Sequence, residues 1–318
     1  PDVDLEVLAR GTPMFSGADL AAVINEAAII ATMAGGNKEF VELADLEEAR
    51  DKVRFGRARK SRQIEQQERA ATAYHEAGHA IIGRLVPEHD PVHKVTIIPS
   101  GMALGVTMQL PEAERHIYRQ DYIEDSLVVR MGGRVAEEIV FHDPTTGASN
   151  DIEKATGIAR RMVTEFGMSA TVGAIKLGQS SGEVFLGRDM GHQRDYSERL
   201  AESVDAEVRA LVDNAHTEAW KVLNQNRAIL DTLATELLEK ETLDHNALAT
   251  IFEKVKKLPE RPQWLSSGKR PVSSKGPVAM PKPKPKPRAA PKAPAKKPAA
   301  KKAPATRAKT TVAKKSND

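Results

Sequence analysis

Residues 73–82 read Ala-Tyr-His-Glu-Ala-Gly-His-Ala-Ile-Ile, and few conformations other than a buried helix suit such a run. Tyr74, Ala77, Ile81, Ile82 and Leu85 supply an apolar face at helical spacing. Gly78 and Gly83 lie within it. Each is unfavourable by about 1 kcal/mol against Ala in a helix interior, so close packing or a site has to account for them. On this helix His75 and His79 stand about 40° apart around the axis and project from one face. Two neutral imidazole nitrogens so placed can hold one Zn²⁺. Glu76 lies about 100° from His75, where it can reach a water beside the ion without being a ligand. A core helix that carries these three side chains by chance is the competing reading of the five residues alone.

The 318 residues suffice for two ordinary domains. There is no cysteine, which excludes disulfides and cysteine-ligated zinc and fits a reducing compartment. Apolar runs such as residues 27–31 are far too short to span a bilayer, and the start of the chain does not read as a signal peptide. The net charge of +3 hides an asymmetry. Of the 47 Lys/Arg and 44 Asp/Glu, residues 261–318 hold 17 and one, so this tail is +16 and the preceding body −13.

Taken in order, residues 1–57 read as a small helical unit. A short helix over residues 3–10 is stopped by Gly11-Thr12-Pro13. Ser16-Gly17-Ala18-Asp19 starts a second helix, which Gly35-Gly36-Asn37 ends. A third runs over residues 43–53. Residues 63–86 lead through the histidine helix, and strands are expected over 92–98 and 104–110. Helices are expected over 113–140, from Asp151 to about 166, and over 197–225, 227–238 and 244–256. Thr242-Leu243-Asp244 reads as the start of the last. From about residue 259 the chain is rich in Pro, Lys and Ala. It cannot bury enough apolar area to offset chain entropy, and disorder is expected. No aromatic residue is interleaved among the lysines of 281–302, which argues against a base-stacking platform.

Zinc hydrolases hold the ion with three protein groups and one open position, so a third ligand is needed. The extended H-E-x-x-H-x-x-G-x-x-H pattern fails, because Ile82 and Leu85 stand where Gly and His would be required. Positions 95–108 contain no acid, which removes a nearby downstream glutamate. Glu138 sits mid-helix beside Glu137, His142 is a lone loop histidine, and Asp151 stands at a helix start where an N-cap role competes. Residue chemistry does not choose among these three.

Three blocks together resemble the FtsH family of membrane-anchored AAA+ zinc proteases. They are Tyr74-His75-Glu76-Ala77-Gly78-His79, Gly132-Gly133-Arg134-Val135-Ala136-Glu137-Glu138 and Thr146-Gly147-Ala148-Ser149-Asn150-Asp151. The resemblance covers about residues 1–255. It implies His75, His79 and Asp151 as zinc ligands, Glu76 as catalytic base, and Glu138 at most beside the ligands. Phe15-Ser16-Gly17-Ala18-Asp19-Leu20 resembles the part of an AAA+ lid that borders nucleotide, which would bring Gly17 and Ala18 near ATP. Met14 departs from the family's usual Gly, and His142 from its usual small residue.

The fold so implied is mainly α. A helical lid subdomain over residues 1–58 precedes a mostly helical zinc metallopeptidase domain with a small β element over 63–257. A disordered basic tail follows over 258–318. No Gly-x-x-x-x-Gly-Lys-Ser/Thr phosphate loop occurs in the chain. ATP and Mg²⁺ are therefore expected only in a full-length protein of which this is a C-terminal part. The family further implies unfolded polypeptide substrates, a homo-hexamer, and anchoring at the cytoplasmic side of the cell membrane. The tail's charge would suit anionic lipid or nucleic acid. The rival reading is a non-catalytic helical interaction module whose tail recruits partners.

Overall fold

The structure is a computed structural model describing residues 3–34, 38–56, 65–101, 103–111, 115–177, 196–253 and 255–262. Helix α1 (Leu5–Arg10) begins where the Asp4 carboxylate accepts from the amides of Glu6 and Val7. Helix α2 (Gly17–Met33) begins with a reciprocal capping box between Ser16 and Asp19, and α3 (Leu43–Phe55) with one between Glu42 and Asp45. The three enclose a small core of Leu8, Val23, Ala27, Leu46 and Ala49. The expected stop at 35–37 lies outside the described residues.

A second, larger core gathers the remaining elements. In chain order these are α4 (Gln66–Leu85), β1 (Val92–Thr96), β2 (Val106–Gln109), α5 (Gln120–Phe141), a 3₁₀ turn (Thr146–Ala148) and α6 (Ser149–Thr164). Then come α7 (Glu198–Gln225), α8 (Arg227–Lys240), β3 (Thr242–Leu243) and α9 (His245–Ile251). Among the described residues the protein is therefore mainly α, as expected. The sheet is antiparallel in the order β2-β1-β3, with Val95 opposite both Thr107 and Leu243. Helices α4 and α5 meet at their glycines: a Cβ built at Gly78 would lie 2.3 Å from the Gly132 carbonyl oxygen. The second core is closed by fully buried Ile81, Ile82, Leu127, Met162, Leu223, Leu230 and Leu237.

Three elements differ most from expectation, one being α9, which ends at Ile251 rather than near 256. Helix α5 begins at Gln120 rather than near 113; Arg119 is extended and Ile117 is 87% exposed. Residues 115–119 carry helix formers but no apolar stripe the core can take up, so propensity alone does not hold them. Thr242-Leu243 is a strand, because β1 offers it a partner that no local pattern reveals; Asp244 caps α9 behind it.

The small unit meets the larger one through Arg50, which is fully buried. It donates to Asp51 at 2.8 Å and lies 3.5 Å from Met108 Sδ of β2, while Lys94 of β1 donates to the other Asp51 oxygen at 2.7 Å. Past α9 the chain stays on the body. Leu258 N–H donates to the Leu85 carbonyl at 2.7 Å. The Arg261 guanidinium donates to fully buried Asp125 at 2.6 Å and to Glu218 at 3.0 Å. The disorder expected beyond this point falls on residues outside those described. No helix among the described residues is long and apolar enough to cross a membrane.

Candidate metal centre

Helix α4 buries His75, Glu76 and His79, each less than a tenth exposed. His75 can sit against α5 because Gly133 faces it; a Cβ there would lie 2.5 Å from the imidazole. The outer nitrogens of both rings are fixed. His75 Nδ1 donates to Glu137 Oε1 at 2.7 Å, and His79 Nδ1 donates to the Val129 carbonyl at 2.7 Å. These bonds select the tautomer in which both Nε2 lone pairs point inward.

The inward nitrogens face each other at 3.1 Å, and Asp151 Oδ2 lies 3.4 Å from that of His75 and 3.3 Å from that of His79. Three electron-rich atoms so close repel one another unless a cation, either a proton on His75 or a metal ion, sits among them. Ligands about 2.0–2.1 Å from a tetrahedral ion lie about 3.3 Å apart, which matches all three separations. The donor set, two imidazoles and a carboxylate, suits Zn²⁺. Among the described residues this is the one group of three such side chains that could hold a metal.

Asp151 is the third residue of α6, whose N-cap is Ala148, so its carboxylate is turned to the histidines and does not cap the helix. Its other oxygen lies 3.8 Å from Arg130 Nη1. Burial raises the Asp151 pKa, but His75 and His79 outweigh it and hold the carboxyl far below its usual range. At His75 burial favours the neutral ring, yet Asp151 and Glu137 overcome it and push the pKa up to about 10. Glu137 is raised by burial and lowered more by His75 and the Thr145 amide, which donates to it at 2.6 Å.

The two other positions weighed as ligands are elsewhere. Glu138 pairs with Arg134 and accepts from His216 Nε2 at 2.8 Å, and His142 is the exposed left-handed residue that ends α5. Gly17 and Ala18 form the exposed first turn of α2, in the small helical unit and not with the metal group. Glu137 was missed by sequence reasoning, which looked one residue further along. The available signal was spacing, since Val129, Gly133 and Glu137 recur every four residues on the α5 face that meets α4.

The family model of peptidase family M41 matches residues 62–251. The chain belongs to peptidase family M41. A second model, the AAA+ lid domain, matches residues 2–48. The M41 chain is 54% identical over 252 residues to a Rubrobacter xylanophilus protein named ATP-dependent zinc metalloprotease FtsH, covering 79% of the chain and 38% of that relative. Proteins of the same name from Cutibacterium acnes and Mycobacterium tuberculosis are each 48% identical, over 88% of the chain. The M41 chain thus spans under two fifths of the length of these relatives, at 38%, 39% and 37%.

Proposed function

We propose that this chain is the zinc endopeptidase part of a longer, ATP-dependent, membrane-anchored protease that degrades unfolded or misassembled polypeptides. The observation that carries the reading is the 3.1–3.4 Å triangle of His75 Nε2, His79 Nε2 and Asp151 Oδ2, with the Glu76 carboxylate on the next residue of the same helix. Zinc bound there would supply Lewis-acid chemistry, lowering the pKa of a water toward about 7 and polarising the scissile carbonyl. Glu76 takes the proton of the attacking water and hands it to the leaving amine. Glu137 and the Val129 carbonyl hold the imidazoles in register through their Nδ1 protons.

Among the described residues strand β2 lies at the edge of the sheet, and its outer edge suits an extended substrate adding as a further strand. Backbone pairing reads no side chains, so broad specificity follows. Folded substrates resist such access by about 5–15 kcal/mol, which is where ATP-driven unfolding by the rest of a longer protein, assembled as a homo-hexamer, would act. Gly17 and Ala18 would border that nucleotide, and the basic tail would meet anionic lipid or nucleic acid. A purely interacting module has no use for a buried base beside three converging donors.

The test is zinc content by elemental analysis together with cleavage of casein, an unfolded protein. About one zinc per chain, with cleavage abolished by chelator and restored by zinc, supports the reading. Unchanged cleavage after metal removal would refute it.

A further inference from the structure

We propose that Thr107 of β2 is a positioning residue for the proposed general base, an inference that rests on the reading of Glu76 given above. Glu76 is only 6% exposed, and Thr107 is the one hydrogen-bond partner its carboxylate has among the described residues. The Thr107 hydroxyl lies 2.6 Å from Glu76 Oε2 and 3.1 Å from the Glu76 carbonyl oxygen. A hydroxyl carries one proton, and the nearer, charged oxygen takes it at a length typical of a charge-assisted bond. Oε2 is thereby pinned, and Oε1 accepts no hydrogen bond from any described residue, so its lone pairs are left for a proton to be removed.

The backbone just ahead of β2 forms the other wall of this seat. A Cβ built at Gly105 would lie 2.7 Å from both Glu76 Oε1 and Cγ, so only a residue without one lets the strand pass so close. The carboxylate is therefore held between Gly105 and Thr107, at the start of the strand whose outer edge, unpaired among the described residues, suits substrate. That matters because a base must keep an oxygen within about 2.6–3.2 Å of the proton it removes. A carboxylate free to rotate spends much of its time out of reach. Thr107 side-chain chemistry is directed at α4, not along the free edge, so it acts on turnover and leaves substrate binding alone.

The experiment compares Thr107→Val, which keeps shape and loses the hydroxyl, with Thr107→Ser, which keeps it. Both are assayed in the whole chain on an unfolded casein-derived peptide, with zinc content and melting temperature measured alongside. The expected result is a kcat about 10- to 100-fold lower for the valine variant, with KM within about twofold and zinc stoichiometric. The serine variant should keep kcat within about threefold. A valine variant with parental kcat, or a serine variant impaired equally, overturns the inference. A change confined to melting temperature overturns it too, since that is what losing the bond to the Glu76 carbonyl alone would produce. Glu76→Gln is the control that separates the two claims. If it cleaves like the parent, the reading of Glu76 as base has failed; if it is inactive while Thr107→Val is parental, only the role of Thr107 has failed.

Discussion

Replacing Gly78 by alanine inserts one methyl group between two helices and tests how the centre is assembled. The added Cβ would lie 2.3 Å from the Gly132 carbonyl oxygen and 2.8 Å from the Ala136 Cβ. The first of these is about 1 Å inside the 3.4 Å at which ordinary contact begins, and the atom it meets is backbone. No rotamer change relieves it, so α4 and α5 must move apart. Alanine gains about 1 kcal/mol of helix propensity, against an overpacking cost near or above the top of the usual range of about 1–3 kcal/mol. The expected net loss is about 2 kcal/mol. Separation also stretches the two 2.7 Å bonds that orient His75 and His79, so zinc affinity falls as well. Gly157, exposed on α6 with nothing within 4 Å of where an added methyl would sit, is the internal control. There the same substitution should stabilise by up to about 1 kcal/mol and leave zinc untouched. Denaturant unfolding of both variants, with zinc content, decides. A Gly78→Ala protein as stable as Gly157→Ala and fully zinc-loaded would refute the argument from close approach.

Three further outcomes are expected. Glu137→Gln should weaken zinc binding about 10- to 100-fold in chelator competition, because it removes the charge behind His75 while the ligands stay. In the metal-free protein His75 binds its proton up to about pH 10; that pairing stabilises the fold fully below the usual imidazole value of 6.5 and is lost as pH rises toward about 10. Zinc must displace the proton, so affinity should climb about tenfold per unit between pH 7 and 9 where an ordinary histidine site would level off. Arg261→Ala should destabilise by about 2–3 kcal/mol, since it leaves fully buried Asp125 without its cation, whereas removal of residues 263–318 should change stability by less than about 0.5 kcal/mol in thermal unfolding.

Much of the fold was legible because its signals are local. Ser16 and Asp19 cap α2 as a capping box, and the apolar spacing around Ile81 and Ile82 marks the buried face of α4. Gly78 and Gly83 announced the close approach of another element, though not that Gly78 would meet α5 and Gly83 the strands. What was not legible depends on distant residues. Thr242 and Leu243 become a strand only because β1 is there to pair with them. Residues 115–119 fail to be helix for want of a core to cover. At the site, His75, Glu76 and His79 could be read from one helix, whereas Asp151 arrives from 72 positions further along, and only the resemblance pointed to it. Glu137 carries only its four-residue spacing from Gly133 and Thr107 no signature at all; each is defined by the α4 side chain it meets. Arg261, read as tail, is held because Asp125 and Glu218 converge on it.

That His75, His79 and Asp151 together hold one zinc ion is the proposal on which the chemistry depends. It is tested most directly by the zinc content of Asp151→Asn and Glu138→Gln, measured after identical loading and removal of excess metal. Asp151→Asn should lose most of its zinc, because an amide oxygen replaces the carboxylate that faces both imidazoles at 3.3 and 3.4 Å. Glu138→Gln should keep about one zinc per chain, because its carboxylate is engaged by Arg134 and His216. Full zinc in the Asp151 variant, or its loss in the Glu138 variant, would contradict the account.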